Sequence, residues 1–135
     1  MTIRTARTGA DLAFLTAHDT HIAPTELANS VSLGRVLIAE QDGTPIAWLR
    51  YNLFWNNTPF MNLLYVLEPW RGQGIGRALV QHWENTLREQ GFDLVMTSTA
   101  SDEYAQHFYV RLGYAAAGGF TPPGEPYELI FCKTL

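Results

Sequence analysis

Gly72, Gly74 and Gly76 fall in the run Arg71-Gly72-Gln73-Gly74-Ile75-Gly76, and this spacing points to the binding of an anion. Glycines at the junction of a strand and a helix leave backbone N–H groups bare, and a helix start adds unpaired amides with partial positive charge. Gly76 falls in the first helical turn, where glycine costs about 1 kcal/mol relative to alanine, so close approach of a ligand is one explanation for it. Two familiar phosphate motifs do not fit. A dinucleotide fingerprint beginning at Gly72 needs glycine where Arg77 stands, and a P-loop needs a Gly-Lys-Ser/Thr that the chain lacks. Taken alone, the run favours a plain glycine-rich loop over a phosphate cradle.

The elements around the run would have to position it. Phe60 to Val66 reads as a strand leading in, after the turn Asn56-Asn57-Thr58-Pro59. The pattern leading out has Ile75, Ala78, Leu79, Trp83 and Leu87 on one stripe, with Val80 slightly off it. Gln81, Glu84, Asn85, Arg88 and Glu89 fall opposite, which predicts a helix with one buried face ending near Gly91. Upstream, Thr2 to Arg7 reads as a strand, Asp11 to Ala17 and Pro24 to Leu33 as short helices, and Val36 to Glu40 with Ile46 to Phe54 as a hairpin turning at Asp42-Gly43. Downstream, Asp93 to Thr97 reads as a strand. Ser101 or Asp102 caps a helix whose stripe is Ala105, Phe108, Tyr109 and Leu112, and Tyr114 to Ala117 and Tyr127 to Lys133 close the chain as strands. The pattern predicts an α/β (α+β) fold in one domain, residues 1–135, with a mixed sheet and helices on its faces.

Composition narrows the function classes. A length of 135 residues suits one core, and 47% hydrophobic with 16% charged residues marks a globular chain. The net charge of −4, with no basic run, argues against nucleic acid as a partner. The single cysteine, Cys132, excludes an internal disulfide, and no stretch reaches the ~18 apolar residues of a membrane span, so a cytoplasmic protein is expected.

Two blocks carry a resemblance. Leu67-Glu68-Pro69-Trp70 followed by R-G-Q-G-I-G-R-A-L is similar to the acetyl-CoA motif Q/R-x-x-G-x-G/A of the GNAT superfamily of N-acetyltransferases. Asp102 to Tyr114, D-E-Y-A-Q-H-F-Y-V-R-L-G-Y, resembles the later segment N-x-x-A-x-x-F-Y-x-x-x-G-F/Y of the same superfamily. The resemblance covers about residues 36 to 135 and implies a mostly antiparallel sheet of six or seven strands with helices on both faces. It implies acetyl-CoA as co-substrate, with no metal. Arg71, Gly72, Gln73, Gly74, Ile75, Gly76 and Arg77 would hold the pyrophosphate, and the main chain of Leu64, Tyr65 and Val66 would pair with the pantetheine arm. It also implies that the Leu64 backbone serves as oxyanion donor and Tyr109 as general acid toward the coenzyme A sulfur. Tyr109 at helical spacing also suits a packed core aromatic.

The chain departs from the family pattern in two ways. Asn62 and Thr97 stand where many members carry a basic glutamate, and Asp102 replaces a common asparagine, leaving its contact with coenzyme A open or reducing it to a helix cap. Glu68, His107, Glu128, His18 and His21 remain as candidates for the base, with none assigned. The resemblance places the acceptor among Trp55, Phe60, Asn62 and Glu128, near His18, Asp19, His21, Asn56 and Glu125. Trp48 and Tyr51 fit either a cleft wall or the core.

The function implied is acetyl transfer to a primary amine of a small molecule or peptide. The alternative is a non-catalytic acyl-CoA-binding module, favoured by Asn62, and a third reading is a small interaction domain. The short first helices offer little lid, so a homodimer supplying one pocket wall is also an open expectation.

Overall fold

The computed structural model describes residues 1–135. The chain runs through β1 (Thr2–Thr5), α1 (Ala10–His18), α2 (Pro24–Ser32), β2 (Val36–Gln41), β3 (Thr44–Phe54), β4 (Thr58–Val66), a 3-10 turn (Glu68–Trp70), α3 (Ile75–Glu89), β5 (Leu94–Ala100), α4 (Ala105–Arg111), β6 (Ala115–Phe120) and β7 (Glu128–Thr134). One seven-stranded sheet has the order β1-β2-β3-β4-β5-β7-β6. Only β4 and β5 run parallel. The expected mixed, mostly antiparallel sheet is observed.

Alternation along β2 sorts the two layers. Leu37 and Ala39 face a core built on Ile75, Leu79, Val80, Trp83 and Leu87 of α3, whereas Val36 and Ile38 face Leu15 of α1 and Leu27 and Val31 of α2. Helices therefore cover both faces. No helix is long and apolar enough to cross a membrane.

The structure revises several sequence expectations. The first strand stops at Thr5 because the Arg7 amide turns to donate to Asp11 Oδ2 at 2.8 Å, where Arg4 also donates at 2.7 Å. Glu84, expected on the wet face of α3, is 4% exposed. It accepts from the Tyr114 hydroxyl at 2.7 Å and Lys133 Nζ at 2.8 Å, partners that lie 30 and 49 residues away and that helical periodicity cannot reveal. Val80 is fully buried, so the apolar stripe is wider than expected. Trp48 belongs to the core rather than a cleft, and Tyr51 packs beside Trp83 with ring centroids 5.6 Å apart.

A second buried polar cluster ties the α1–α2 connection to the sheet. Asp19, whose side chain is 0% exposed, accepts from Arg50 Nε at 2.7 Å and from Trp48 Nε1 at 3.2 Å. Its other oxygen takes the His21 amide at 3.2 Å. Removing one partner of such a pair leaves a bare buried charge. Asp19→Ala is therefore expected to lower stability by about 3–5 kcal/mol, read as a fall in the urea midpoint. A loss under about 1 kcal/mol would show that the pair contributes nothing net.

Candidate active site

The site begins with an extra residue. Leu63 of β4 lies opposite Arg50 of β3 and Met61 lies opposite Tyr51, so Asn62 has no partner in the ladder. Such a bulge bends a strand and redirects its side chains. The pairing of β4 with β5 is confined to Phe60↔Met96 and Met61↔Thr97. The Thr97 hydroxyl fastens this end, donating to the Met61 carbonyl at 2.9 Å. Beyond it the strands diverge, and β4 from Asn62 to Val66 presents one edge without a strand neighbour. An open edge offers main-chain groups to anything extended that can pair with them.

At the far end of that edge lies the glycine turn. Gly72 and Gly74 have φ of 76° and 81°, the left-handed region that glycine enters without strain, and a Cβ on either would meet nothing within 4 Å. The first helical bond of α3 runs from Ala78 N to Gly74 O, and no side chain caps the helix. The amides of residues 72 to 77 thus have no acceptor within the protein. Gly76 needs no steric excuse, because a Cβ there would sit at 3.6 Å from Leu64 and 3.7 Å from Phe108 in ordinary contact. Its absence keeps a slot open between β4 and α4.

These parts line a cavity of about 790 Å³, walled by Leu64–Val66, by the turn at Trp70–Gly72 and Gly74–Arg77, and by Glu103, Tyr104 and Phe108. Arg71 is fixed within it, donating from Nε to the Val66 carbonyl at 2.8 Å with its guanidinium 5.2 Å from the Tyr65 ring centre. Gln73 and Asp102 do not line the cavity. Neither Asp102 nor Ser101 caps α4, which starts from Tyr104 without a side-chain cap. Gln106 instead reaches back to the Ser101 and Glu103 carbonyls at 2.8 and 3.1 Å, so this turn is closed through its acceptors and leaves the helix amides uncapped.

A second cleft of about 410 Å³ adjoins the first, sharing Leu64, Glu103 and Ala105 with it. Tyr109 lines it at only 7% exposure, wedged beside Phe108, Tyr114 and Phe131. Burial pushes its phenol up to about 12, opposed by the neighbouring Thr97 hydroxyl and reinforced by the Glu103 charge. Tyr109 thus packs in the core, and its side chain also lines the cleft.

Asn62, Glu128 and His21 share this cleft, and so does Glu103, which sequence reading missed. Glu103 sits inside a matched block, but nothing in its spacing separates it from the exposed residues beside it. Of the other candidates for the base, His18 is turned away, bonded through Nδ1 to the Phe14 carbonyl at 2.8 Å and stacked on Phe14. His107 lies against Tyr104, and neither Glu68 nor His107 lines the cleft. Of the residues expected near the acceptor, Asp19 is bound by Arg50 and Glu125 does not line the cleft. Trp55 and Phe60 line a third, apolar cavity that meets the cleft at Asn62 and Ser98.

The glycine turn, the split between β4 and β5 and the cleft beside Tyr109 adjoin one another, and the family model described as "Acetyltransferase (GNAT) family" matches residues 10–114. The chain belongs to the GNAT acetyltransferase family. No curated protein matches it. Solved GNAT structures share its fold at low identity. A ribosomal-protein-alanine N-acetyltransferase from Brucella melitensis is 23% identical with a TM-score of 0.82, covering 100% of each chain. Naa50 of Arabidopsis thaliana, in complex with the bisubstrate analogue CoA-Ac-MVNAL, is 17% identical with a TM-score of 0.79, covering 99% of this chain and 98% of its own. Rv2747 of Mycobacterium tuberculosis, in complex with CoA, is 17% identical with a TM-score of 0.80, covering 100% and 99%.

Proposed function

We propose that this GNAT chain transfers the acetyl group of acetyl-CoA to a primary amine of a small molecule or peptide. The observation that carries the reading is the set of unsatisfied amides at residues 72 to 77 next to a cleft holding a buried phenol. The residues present fit coenzyme A: bare donors and Arg71 and Arg77 for a diphosphate, and an open β4 edge for an extended amide-bearing arm. Structural relatives that act on a ribosomal-protein alanine or bind a CoA–peptide analogue support an amine acceptor.

When bound, acetyl-CoA supplies the acyl group as an activated thioester. The Leu64 backbone, at the widening of the split, is the candidate donor to the developing oxyanion. A cationic amine with a pKa near 10.4 must lose a proton before attack, at a cost of roughly 4–5 kcal/mol at pH 7. Glu128, Glu103 and His21 are the cleft groups able to take it, directly or through water. Tyr109 holds its proton against the departing sulfur. A phenol at about 12 stays protonated beside a thiolate whose ordinary pKa is about 8.5, so Tyr109 acts as a donor stabilising the leaving charge, with complete transfer running uphill.

This assignment fixes a sign for the pH profile. The required form of Tyr109 is the protonated one, which persists below about 12. No alkaline limb in kcat is expected between about pH 8 and 10, and a fall across that interval would show that the phenol titrates lower than its burial implies.

The direct experiment is acetyl-CoA turnover on a panel of amines, with Tyr109→Phe and Gly74→Glu alongside. Tight acetyl-CoA binding with no turnover on any amine would instead support the non-catalytic acyl-CoA-binding module, the reading that Asn62 favours.

A further inference from the structure

The cavity beside the Tyr109 cleft has a different chemical character. It measures about 350 Å³ and is walled by Phe54, Trp55, Phe60, Phe120 and Ile130. Phe54 gathers the aromatics, with its ring centroid 4.8 Å from that of Trp55 and 6.0 Å from that of Phe60. Folding does not account for this cluster. Trp55 is 80% exposed and Phe120 55%. Trp55 also holds φ of 54°, a left-handed turn position where glycine or asparagine fits and a bulky side chain is strained. An apolar group kept wet, and at a strained position, marks a binding surface.

The neighbouring cleft is acidic. Glu103 and Glu128 line it, neither forms an ion pair, and His21 is the one side chain there able to become cationic. The two spaces communicate through Asn62 and Ser98. Asn62 is steadied at this junction by donating from Nδ2 to Asn52 Oδ1 at 2.8 Å.

We infer that the acceptor is an amine with a bulky apolar group next to it, such as a free α-amine preceding an aromatic or long aliphatic side chain. The ammonium is drawn to Glu103 and Glu128, and the apolar group seats on Phe54, Trp55, Phe60 and Phe120. This rests on the acetyltransferase reading and names the substrate class of that site. An anionic acceptor is disfavoured by both carboxylates, and a small one leaves the aromatic seat wet.

The test compares L-phenylalaninamide, L-leucinamide and glycinamide as acceptors at saturating acetyl-CoA. The two apolar amides are expected to exceed glycinamide in kcat/KM by about 10–100-fold. Phe60→Ala and Phe120→Ala are each expected to shrink that ratio about tenfold, chiefly through KM. A readout without turnover comes from Trp55, whose emission should shift to the blue with phenylalaninamide and not with glycinamide, and the shift should vanish in Trp55→Phe. Equal kcat/KM for all three amides overturns the inference and leaves the acetyltransferase reading standing. No turnover with a selective emission shift keeps the apolar seat and overturns the acetyltransferase reading. No turnover and no shift overturns both. A blue shift that grows with protein concentration without amine, matched by a dimer in sedimentation, assigns the face to a second copy and overturns the inference.

Discussion

Tyr109→Phe is expected to lower kcat by roughly 10²–10³-fold while the Kd for acetyl-CoA changes by less than about threefold. The substitution removes one hydroxyl from a residue that is 7% exposed and keeps the ring that packs beside Phe108, Tyr114 and Phe131. No orphan is left behind, because the Thr97 hydroxyl already donates to the Met61 carbonyl at 2.9 Å. Stability should therefore move by less than about 1 kcal/mol, and a loss of rate cannot be blamed on unfolding. The magnitude is placed below the upper range for acid catalysis because a phenol at about 12 offers a hydrogen bond more readily than its proton. Steady-state kinetics at saturating acetyl-CoA, paired with urea melts, decide it. An unchanged kcat would remove Tyr109 from the chemistry and return it to packing alone.

Gly74→Glu is expected to weaken acetyl-CoA binding by at least about 100-fold, through two separable effects. Gly74 adopts φ of 81°, so a side chain costs about 1–2 kcal/mol of backbone strain, which weakens binding insofar as the free turn relaxes to escape it. The added carboxylate also stands among the unpaired amides of residues 72 to 77, where it would repel the diphosphate proposed to bind there. Gly74→Asn separates them, because asparagine tolerates the left-handed region and brings no charge. It should lose only about tenfold. Calorimetric titration of the three proteins gives the ordering, and equal affinity in wild type and Gly74→Glu would move the cofactor site elsewhere.

The parts of this molecule legible in its sequence are those that depend on local spacing. The glycine turn, the span of α3 and the hairpin at Asp42-Gly43 each arise from residues near one another, and all are observed where expected. What escaped depends on register between distant segments. Asn62 looks like any strand residue until Arg50 and Tyr51 are seen to face Leu63 and Met61, which leaves it out of the ladder. Glu84 reads as a wet helix residue until Tyr114 and Lys133 close over it. The insertion of β7 between β5 and β6 likewise has no local cue, since it follows from which edge remains free after β5 is laid down. Glu103 escaped for a related reason: its place in the cleft depends on β4 and β5 residues distant in sequence, and its own neighbours say nothing of it.

The unpaired stretch of β4 has a thermodynamic corollary. A continuous ladder from Asn62 to Val66 would add several N–H···O contacts, each contributing about 0.5–1.5 kcal/mol net, and the molecule forgoes them. It folds to a seam that its own backbone never zips. Any guest that supplies the missing amides completes the architecture as a temporary eighth strand, so heat resistance and occupancy rise together.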